Sequence, residues 1–234
     1  SFGLTGCGSG STETTTAEGG QTTEETTQEE TSSDDKKVFV YPADQDVSNL
    51  LPSSGGSDSV AVMYKPLYDP LYIINNAETR YYLVDKLEVS DDGLNIKLHF
   101  NENAKWHDGE PVTVDDLLFT LKYFTEGATK TSTTYTKING EDVVYEKVDD
   151  YNVNITLPSY LSKFVTTLGR LCIYPEHVFN GDVTTVETSD AAMQGIGNGP
   201  FKLKEWNKGE NIIYEKNTDY YRGEAKIDEL IMKI

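Results

Sequence analysis

Residues 105–124, KWHDGEPVTVDDLLFTLKYF, constrain the fold of this 234-residue chain more than any other stretch. Asp108-Gly109 is a turn signal, because glycine tolerates the positive φ that a sharp reversal often needs. The spacing that follows predicts a helix. Thr113 stands at its N-cap, and Asp116, three residues on, is an acidic relative of the capping box. Val114, Leu117, Leu118, Leu121 and Phe124 then share one helical face. A loop is thus pinned at one end by Trp106 and at the other by a helix with a face to bury.

The remaining folded segments alternate short strands, turns and brief helices. Val38 to Tyr41 is a β-type run stopped by Pro42. Asp46 to Ser59 reads as loop, with Pro52, Gly55 and Gly56, and Val60 to Tyr72 as a helix start leading into a turn. Tyr81 to Val89 leads through the turn Asp91-Asp92-Gly93 into Asn95 to Phe100. There Ile96, Leu98 and Phe100 alternate with Asn95, Lys97 and His99, the pattern of a half-buried strand. Thr125 to Gly140 is loop. Val143 to Val148 and Tyr151 to Leu157 predict a hairpin across Asp149-Asp150, ended by Pro158. Phe164 to Leu168 predicts a short helix, and Leu171 to Tyr174 a buried strand in which Cys172 is a small apolar residue. Asn207 to Glu210 is a hairpin turn into Asn211 to Lys216, and Ile227 to Ile234 is a strand.

The first 37 residues are different. Gly8 to Asp35 consists almost wholly of Ser, Thr, Gly, Glu and Gln, with no aromatic residue and no Val, Ile or Leu. Such a segment cannot bury enough apolar surface to offset its chain entropy, so an acidic, flexible tether is expected. Ahead of it, Leu4-Thr5-Gly6-Cys7 resembles the lipobox of bacterial lipoproteins, where a small residue precedes the Cys that is acylated. Residues 1–6 then read as the remnant of a signal peptide. Residues 7–37 read as a lipidated Cys7 with its linker.

Charge and motif spacing exclude several functions. The formal net charge is −19, from 39 acidic and 20 basic residues. Phosphate binding needs a basic footprint, so nucleic acid is a poor partner. An acidic surface keeps the chain soluble. The two cysteines, Cys7 and Cys172, occupy unlike contexts and indicate no disulfide framework. His99, His107 and His177 show no zinc-ligand spacing. There is no G-x-S-x-G elbow and no P-loop. Gly195 to Gly199 is glycine-rich but opens no helix. Asp115-Asp116 and Asp149-Asp150 stand at a helix start and a turn, where acids are ordinarily found. No catalytic residue, metal site or cofactor is expected.

Several stretches resemble one family. KWHDGEPVTVDD resembles the signature W/F-x-D-G-x-P-V-T-A-x-D of the peptide-type, family 5, solute-binding proteins of bacterial ABC importers, with Val114 in place of Ala. Tyr68-Asp69-Pro70-Leu71 resembles the family's Y-x-x-L helix end, and LEVSDDGLNIKLHF its S-x-D-G strand pair. Tyr174 to Phe179 resembles its P-K-H-x-F/L segment, and Gly197 to Leu203 its G-T-G-P-Y/F-x-L turn and strand. Asn217 to Tyr221 resembles N-P-x-Y-W, with Thr218 for Pro and Tyr221 for Trp.

The resemblance implies an α/β, periplasmic-binding-protein-like fold of type II. Lobe I would comprise residues 38–71 and 177–234, and an inserted α+β lobe II residues 72–176. The chain would be the N-terminal portion, without the lobe that closes over the ligand. The implied function is non-catalytic: an extracytoplasmic protein, lipid-anchored to the cell membrane, that binds a peptide or similar solute and delivers it to an ABC permease. By this mapping the backbone of Gly55, Gly56, Ser57 and Asp58 faces the ligand cleft. An oligosaccharide or a metal chelate is the alternative ligand, and a lipid-anchored interaction module without transport the alternative role. Because most ligand contacts would lie in the other half, this chain alone is expected to bind ligand weakly.

Overall fold

The computed structural model describes residues 36–52, 58–128 and 134–234. In chain order the first elements are β1 (Val38–Pro42), α1 (Asp58–Tyr64), β2 (Tyr72–Asn75), β3 (Glu78–Tyr81), β4 (Val84–Val89), β5 (Asn95–Phe100) and α2 (Val114–Glu126). Then come β6 (Lys137–Ile138), β7 (Glu141–Asp142), β8 (Val144–Lys147), β9 (Asn152–Thr156), α3 (Phe164–Gly169) and a 3-10 turn (Glu176–Phe179). The last are α4 (Ala191–Gln194), β10 (Phe201–Asn207), β11 (Asn211–Lys216) and β12 (Glu229–Lys233).

Two four-stranded sheets carry the fold, in the orders β1-β12-β11-β10 and β4-β5-β9-β8, with β2-β3 and β6-β7 as small ribbons. In the first sheet β1 runs parallel to β12, while β10, β11 and β12 form an antiparallel meander. The second sheet is antiparallel throughout. The expected hairpins form: β4 and β5 join through Gly93 at φ 71°, and β8 pairs with β9 across Asp149-Asp150. Ile96, Leu98 and Phe100 are buried on one face of β5, as their alternation requires, and Val153, Ile155 and Leu157 are buried beside them.

The helix expected after the Asp108-Gly109 turn is α2, and its cap forms as the spacing requires. Asp116 Oδ2 accepts the Thr113 backbone N–H at 2.9 Å and the Trp106 Nε1–H at 3.1 Å. Asp116 Oδ1 accepts the Glu176 N–H at 2.9 Å. One carboxylate therefore joins the loop, the helix start and the 3-10 turn. Burial pushes this carboxyl up to about 6, against the three N–H donors, and it is ionised at neutral pH.

The buried surface of α2 is wider than one stripe. Leu118 is only half-buried, while Phe119 and Tyr123 are buried with Val114, Leu117, Leu121 and Phe124. The reason is a second layer from residues 174–179. Phe179 stacks on Phe119 with ring centroids 5.8 Å apart, and Tyr174 meets Tyr123 at 5.1 Å.

Three segments differ from expectation. Leu171 to Tyr174 is largely buried but joins no sheet. Its backbone is satisfied one group at a time: Leu171 C=O accepts from Leu71 N–H at 3.1 Å, and Tyr174 N–H donates to Thr120 Oγ1 at 2.8 Å. Tyr72, expected to close a helix-and-turn segment, opens β2. The run from Tyr81 is broken before β4, so that Tyr81 ends β3 and Val84 begins a new strand.

The Asp116 junction has a direct test. Asp116→Asn replaces an acceptor oxygen with an NH2 facing an N–H donor. It should lower stability to urea by about 2–3 kcal/mol. Asp115→Asn next door, which loses an exposed ion pair with Lys147, should change it by under about 1 kcal/mol. Equal effects from the two would remove Asp116 as the junction.

Candidate functional site

Four segments far apart in sequence meet: residues 66–69, 106–109, 197–201 and 217–221. The centre of the meeting is the Leu67 carbonyl. It accepts the N–H groups of Asn198 at 2.9 Å and Gly199 at 2.8 Å, and Pro66 C=O accepts from Phe201 N–H at 3.1 Å. This approach leaves no room for side chains. A Cβ on Gly197 would stand 1.9 Å from the Leu67 oxygen, and one on Gly199 would stand 2.8 Å from the Leu67 carbonyl carbon. The two glycines of the G-N-G-P turn are therefore set by contact rather than by φ.

His107 grips the same turn from the other side. Its backbone N–H donates to Gly197 C=O at 2.7 Å, and Gly197 N–H donates back to His107 Nδ1 at 3.0 Å. Nδ1 is therefore an acceptor, the proton is on Nε2, and Nε2–H donates to Gly199 C=O at 3.1 Å. Lys202 Nζ donates to the His107 carbonyl at 3.1 Å. Burial holds the imidazole down to about 4, and the Lys202 ammonium adds to this against Gly199 C=O and Asp108. With both nitrogens engaged by backbone, His107 has no lone pair to offer a substrate, so it is a structural clamp rather than a base.

Asp69 ties in the last segment. Its N–H donates to Asn198 Oδ1 at 2.8 Å, and its Oδ2 accepts the hydroxyls of Tyr220 at 2.7 Å and Tyr221 at 2.8 Å. Burial raises this carboxyl, opposed by the two hydroxyls and by the nearby Arg222, whose guanidinium lies 4.1 Å from the Tyr82 ring centre. Neither the His107 clamp nor the Asp69 junction was read from sequence. Their only local sign is that both residues fall inside the motifs.

A crevice of about 490 Å³ opens beside this meeting point, lined among others by Lys105, Trp106, His107, Lys202, Asn217 and Asp219. Its walls mix two ammonium groups, the carboxylates of Glu102 and Asp219, and amides, which suits binding of a polar solute and supplies no nucleophile–base pair. Asn217 is fixed there by its Nδ2 donating to Gly199 C=O at 3.2 Å.

Of the residues expected to bind ligand, Gly55, Gly56 and Ser57 lie outside the described residues, as does the lipidation candidate Cys7. Asp58 is the first residue of α1, which Leu67 and the turn at 197–199 anchor at its far end. Cys172 is half-buried, and burial pushes its thiol up to about 12, consistent with an inert packing residue. His177 Nε2 is 2.8 Å from Asp108 Oδ2, and His99 Nδ1 is 2.6 Å from Asp85 Oδ1. Among the described residues no group of His, Cys, Asp and Glu could hold a metal ion.

Residues 78–234 match the family described as bacterial extracellular solute-binding proteins, family 5 Middle. The oligopeptide-binding protein AppA of Bacillus subtilis is 29% identical over 208 residues, covering 78% of this chain and 38% of AppA. The structure of AppA in complex with a nonapeptide superposes with a TM-score of 0.68 at 25% identity, over 85% of this chain and 40% of that one. CtaP, an ABC transporter substrate-binding protein of Listeria monocytogenes, gives a TM-score of 0.77 at 27% identity, over 85% of this chain and 40% of CtaP. The chain thus spans about two-fifths of the length of these relatives.

Two measurements probe the clamp. Gly197→Ala should destabilise by more than about 3 kcal/mol, since Leu67 cannot retreat without losing its bonds. Gly209→Ala, at φ +77° with open space around it, should lose only about 1 kcal/mol. The second concerns pH. His107 is neutral in the fold down to about 4, against an ordinary value of 6.5. Between those values the unfolded chain holds the extra proton, so stability falls as pH drops from 6.5 to 4. Asp116, raised to about 6 from 3.8, acts with the opposite sign and gains stability as pH falls through that range. Comparing wild type with His107→Gln, which shares Asp116, separates the two. The advantage of wild type should shrink by on the order of 3 kcal/mol between about pH 7 and about pH 4. An advantage independent of pH would rule out the neutral clamp.

Proposed function

Because the chain belongs to family 5 of the bacterial extracellular solute-binding proteins, we propose that it captures a peptide or similar solute outside the cytoplasm and delivers it to an ABC permease. The observation that carries the ligand class is its likeness to AppA, 29% identical over 208 residues, whose structure holds a nonapeptide. The relatives are binding proteins rather than enzymes, and the saturated imidazole of His107 is in keeping with that role.

In this reading residues 38–71 with 177–234 form one lobe, and residues 72–176 form the inserted one. The backbone of Gly55 to Asp58 contacts an extended ligand by main-chain hydrogen bonds, which are indifferent to ligand side chains. The clamped turns at Leu67 and Gly197 give α1 a rigid base. Such preorganisation lessens the entropy lost on binding. Acylation of Cys7 holds the protein at the membrane surface, with the acidic segment up to Lys37 as the leash.

Thermal denaturation of the protein, taken at the full length of its relatives, tests the ligand class against peptides, oligosaccharides and metal chelates. A ligand bound only by the native state raises the melting temperature by mass action, by about 2.7 kcal/mol of stability at a hundredfold excess over Kd. Peptides should give that shift. A shift only with sugars or chelates would keep the family and replace the ligand. A well-folded protein that responds to none would defeat solute capture altogether.

A further inference from the structure

The pair Asn-Gly occurs three times in this chain, at 139–140, 180–181 and 198–199. In such a pair the glycine nitrogen can approach the asparagine Cγ, because no Cβ on the glycine stands in the way. Whether it does so depends on what holds that nitrogen and that amide, and the fold treats the three pairs differently. Asn198-Gly199 is locked. Gly199 N–H donates to Leu67 C=O at 2.8 Å, Asn198 Oδ1 accepts the Asp69 N–H at 2.8 Å, and Asn198 is wholly buried. Asn180-Gly181 is held where the 3-10 turn closes. Gly181 N–H donates to Glu176 C=O at 3.2 Å, and Asn180 N–H to His177 C=O at 3.3 Å.

Asn139-Gly140 is the tip of the β6-β7 hairpin, whose ladder pairs Lys137 with Asp142 and Ile138 with Glu141. A two-residue loop leaves both of its residues outside the ladder, so the opening here is a property of the register itself. The φ angles are 53° at Asn139 and 87° at Gly140. Positive values at both positions mark a type I′ turn, for which Asn-Gly is a favoured pair. Positive φ does not set this pair apart, since Asn180 and Gly181 stand at 50° and 70°. The bonds do. Asn139 and Gly140 are exposed, and among the described residues no backbone carbonyl accepts the Gly140 N–H. The Asn139 amide is tethered by Nδ2 donating to Ser159 Oγ at 3.4 Å, a long and therefore weak bond.

We propose that Asn139 is a self-modification site, which converts through a cyclic imide to aspartate and isoaspartate while the other two pairs persist. Hydroxide removes the Gly140 amide proton, and the nitrogen attacks Asn139 Cγ. The new N–Cγ bond closes a succinimide. The Cγ–Nδ2 bond breaks, and Nδ2 takes a proton back from water and leaves as ammonia. Water then opens the ring. Cleavage of the new N–Cγ bond gives aspartate; cleavage at the main-chain carbonyl gives isoaspartate, in which the chain runs through Cβ and Cγ. The product bears on the fold because Ile138 and Val143 of this ribbon are buried. Val143 N–H donates to Thr136 C=O at 2.8 Å, and Tyr135 stacks on Phe124 of α2 with ring centroids 5.8 Å apart. Isoaspartate lengthens the main chain within the turn and sets a carboxylate beside Glu141 and Asp142, so it opposes the register that buries Ile138.

Ageing the native full chain in mildly alkaline buffer tests this. Peptide mass spectrometry reads the conversion site by site, and methyl transfer from S-adenosylmethionine by an isoaspartyl methyltransferase counts the isoaspartate. Asn139 should convert faster than Asn180 or Asn198 by on the order of tenfold or more, since each of those must first open bonded backbone. The same chain in concentrated urea should lose most of that difference. Asn139→Gly keeps a residue at ease with positive φ in the turn. It should abolish the isoaspartate signal and leave the melting temperature of fresh protein nearly unchanged. Aged wild type should melt lower than fresh, and the aged variant should not. Equal rates at the three pairs in the native chain would overturn the proposal. So would a lead for Asn139 that survives undiminished in urea, which would assign it to neighbouring residues rather than to the fold. Isoaspartate undiminished in Asn139→Gly would overturn it too, by placing the reaction elsewhere.

Discussion

The meeting of four distant segments depends on the close approach of one turn to one carbonyl. Leu67 C=O receives two N–H groups from the turn at 197–199, and the turn can come that near only because Gly197 and Gly199 have no side chain. His107 then closes on the turn from the opposite side through three hydrogen bonds. The result is a backbone-to-backbone weld with an imidazole as its bracket. Backbone bonds in a buried place are strongly directional, and leaving any of them unmade is expensive. A sliding of one segment against the others would break several at once. That makes the junction stiff, in a fold whose strands are otherwise short.

The junction also explains why the recognisable motifs are where they are. K-P-L-Y-D, W-H-D-G, G-N-G-P and N-T-D-Y-Y are separated by tens of residues, yet Leu67, Asp69, His107, Gly197, Asn198, Gly199, Tyr220 and Tyr221 belong to one bonded network. Each motif is short because each supplies only one or two groups. Their residue types are those that close packing needs: glycine for approach, asparagine and aspartate for reach, tyrosine for a buried hydroxyl with a partner.

Local signals in the sequence were enough for the parts of the fold that local forces make. The helix α2 follows from the spacing of Thr113, Asp116 and its apolar residues. β5 follows from the alternation of Ile96, Leu98 and Phe100, and the turn before β10 from its glycines. What the sequence did not disclose was made by partners distant along the chain. Leu171 to Tyr174 has the composition of a strand, but Leu71 and the Thr120 hydroxyl take its backbone groups, so no ladder forms. Phe119 and Tyr123 lie off the main apolar stripe of α2, and Phe179 and Tyr174 pack over them. His107 is a clamp because Gly197, ninety residues on, arrives at its Nδ1. The ligand loop was named from resemblance rather than from residues, and Gly55, Gly56 and Ser57 lie outside the described residues.

The titratable groups around the junction are each held by several hydrogen bonds. Asp116 and Asp69 are buried acids whose carboxyls burial raises, and each is held by several donors. His107 is a buried base that burial lowers. Protonating His107 on Nδ1 would set one N–H against another, that of Gly197, and would add a cation beside Lys202. A carboxylate at Asp116 and a neutral imidazole at His107 are therefore one consistent set, in which the N–H groups of Trp106, Thr113 and Glu176 point at carboxylate oxygens and that of Gly197 at Nδ1. The crevice next to it, with Lys105 and Lys202 near Asp219, inherits that fixed pattern of charge. A binding protein profits from such a surface because its polar groups are oriented before the solute arrives, and little ordering remains to be done on contact.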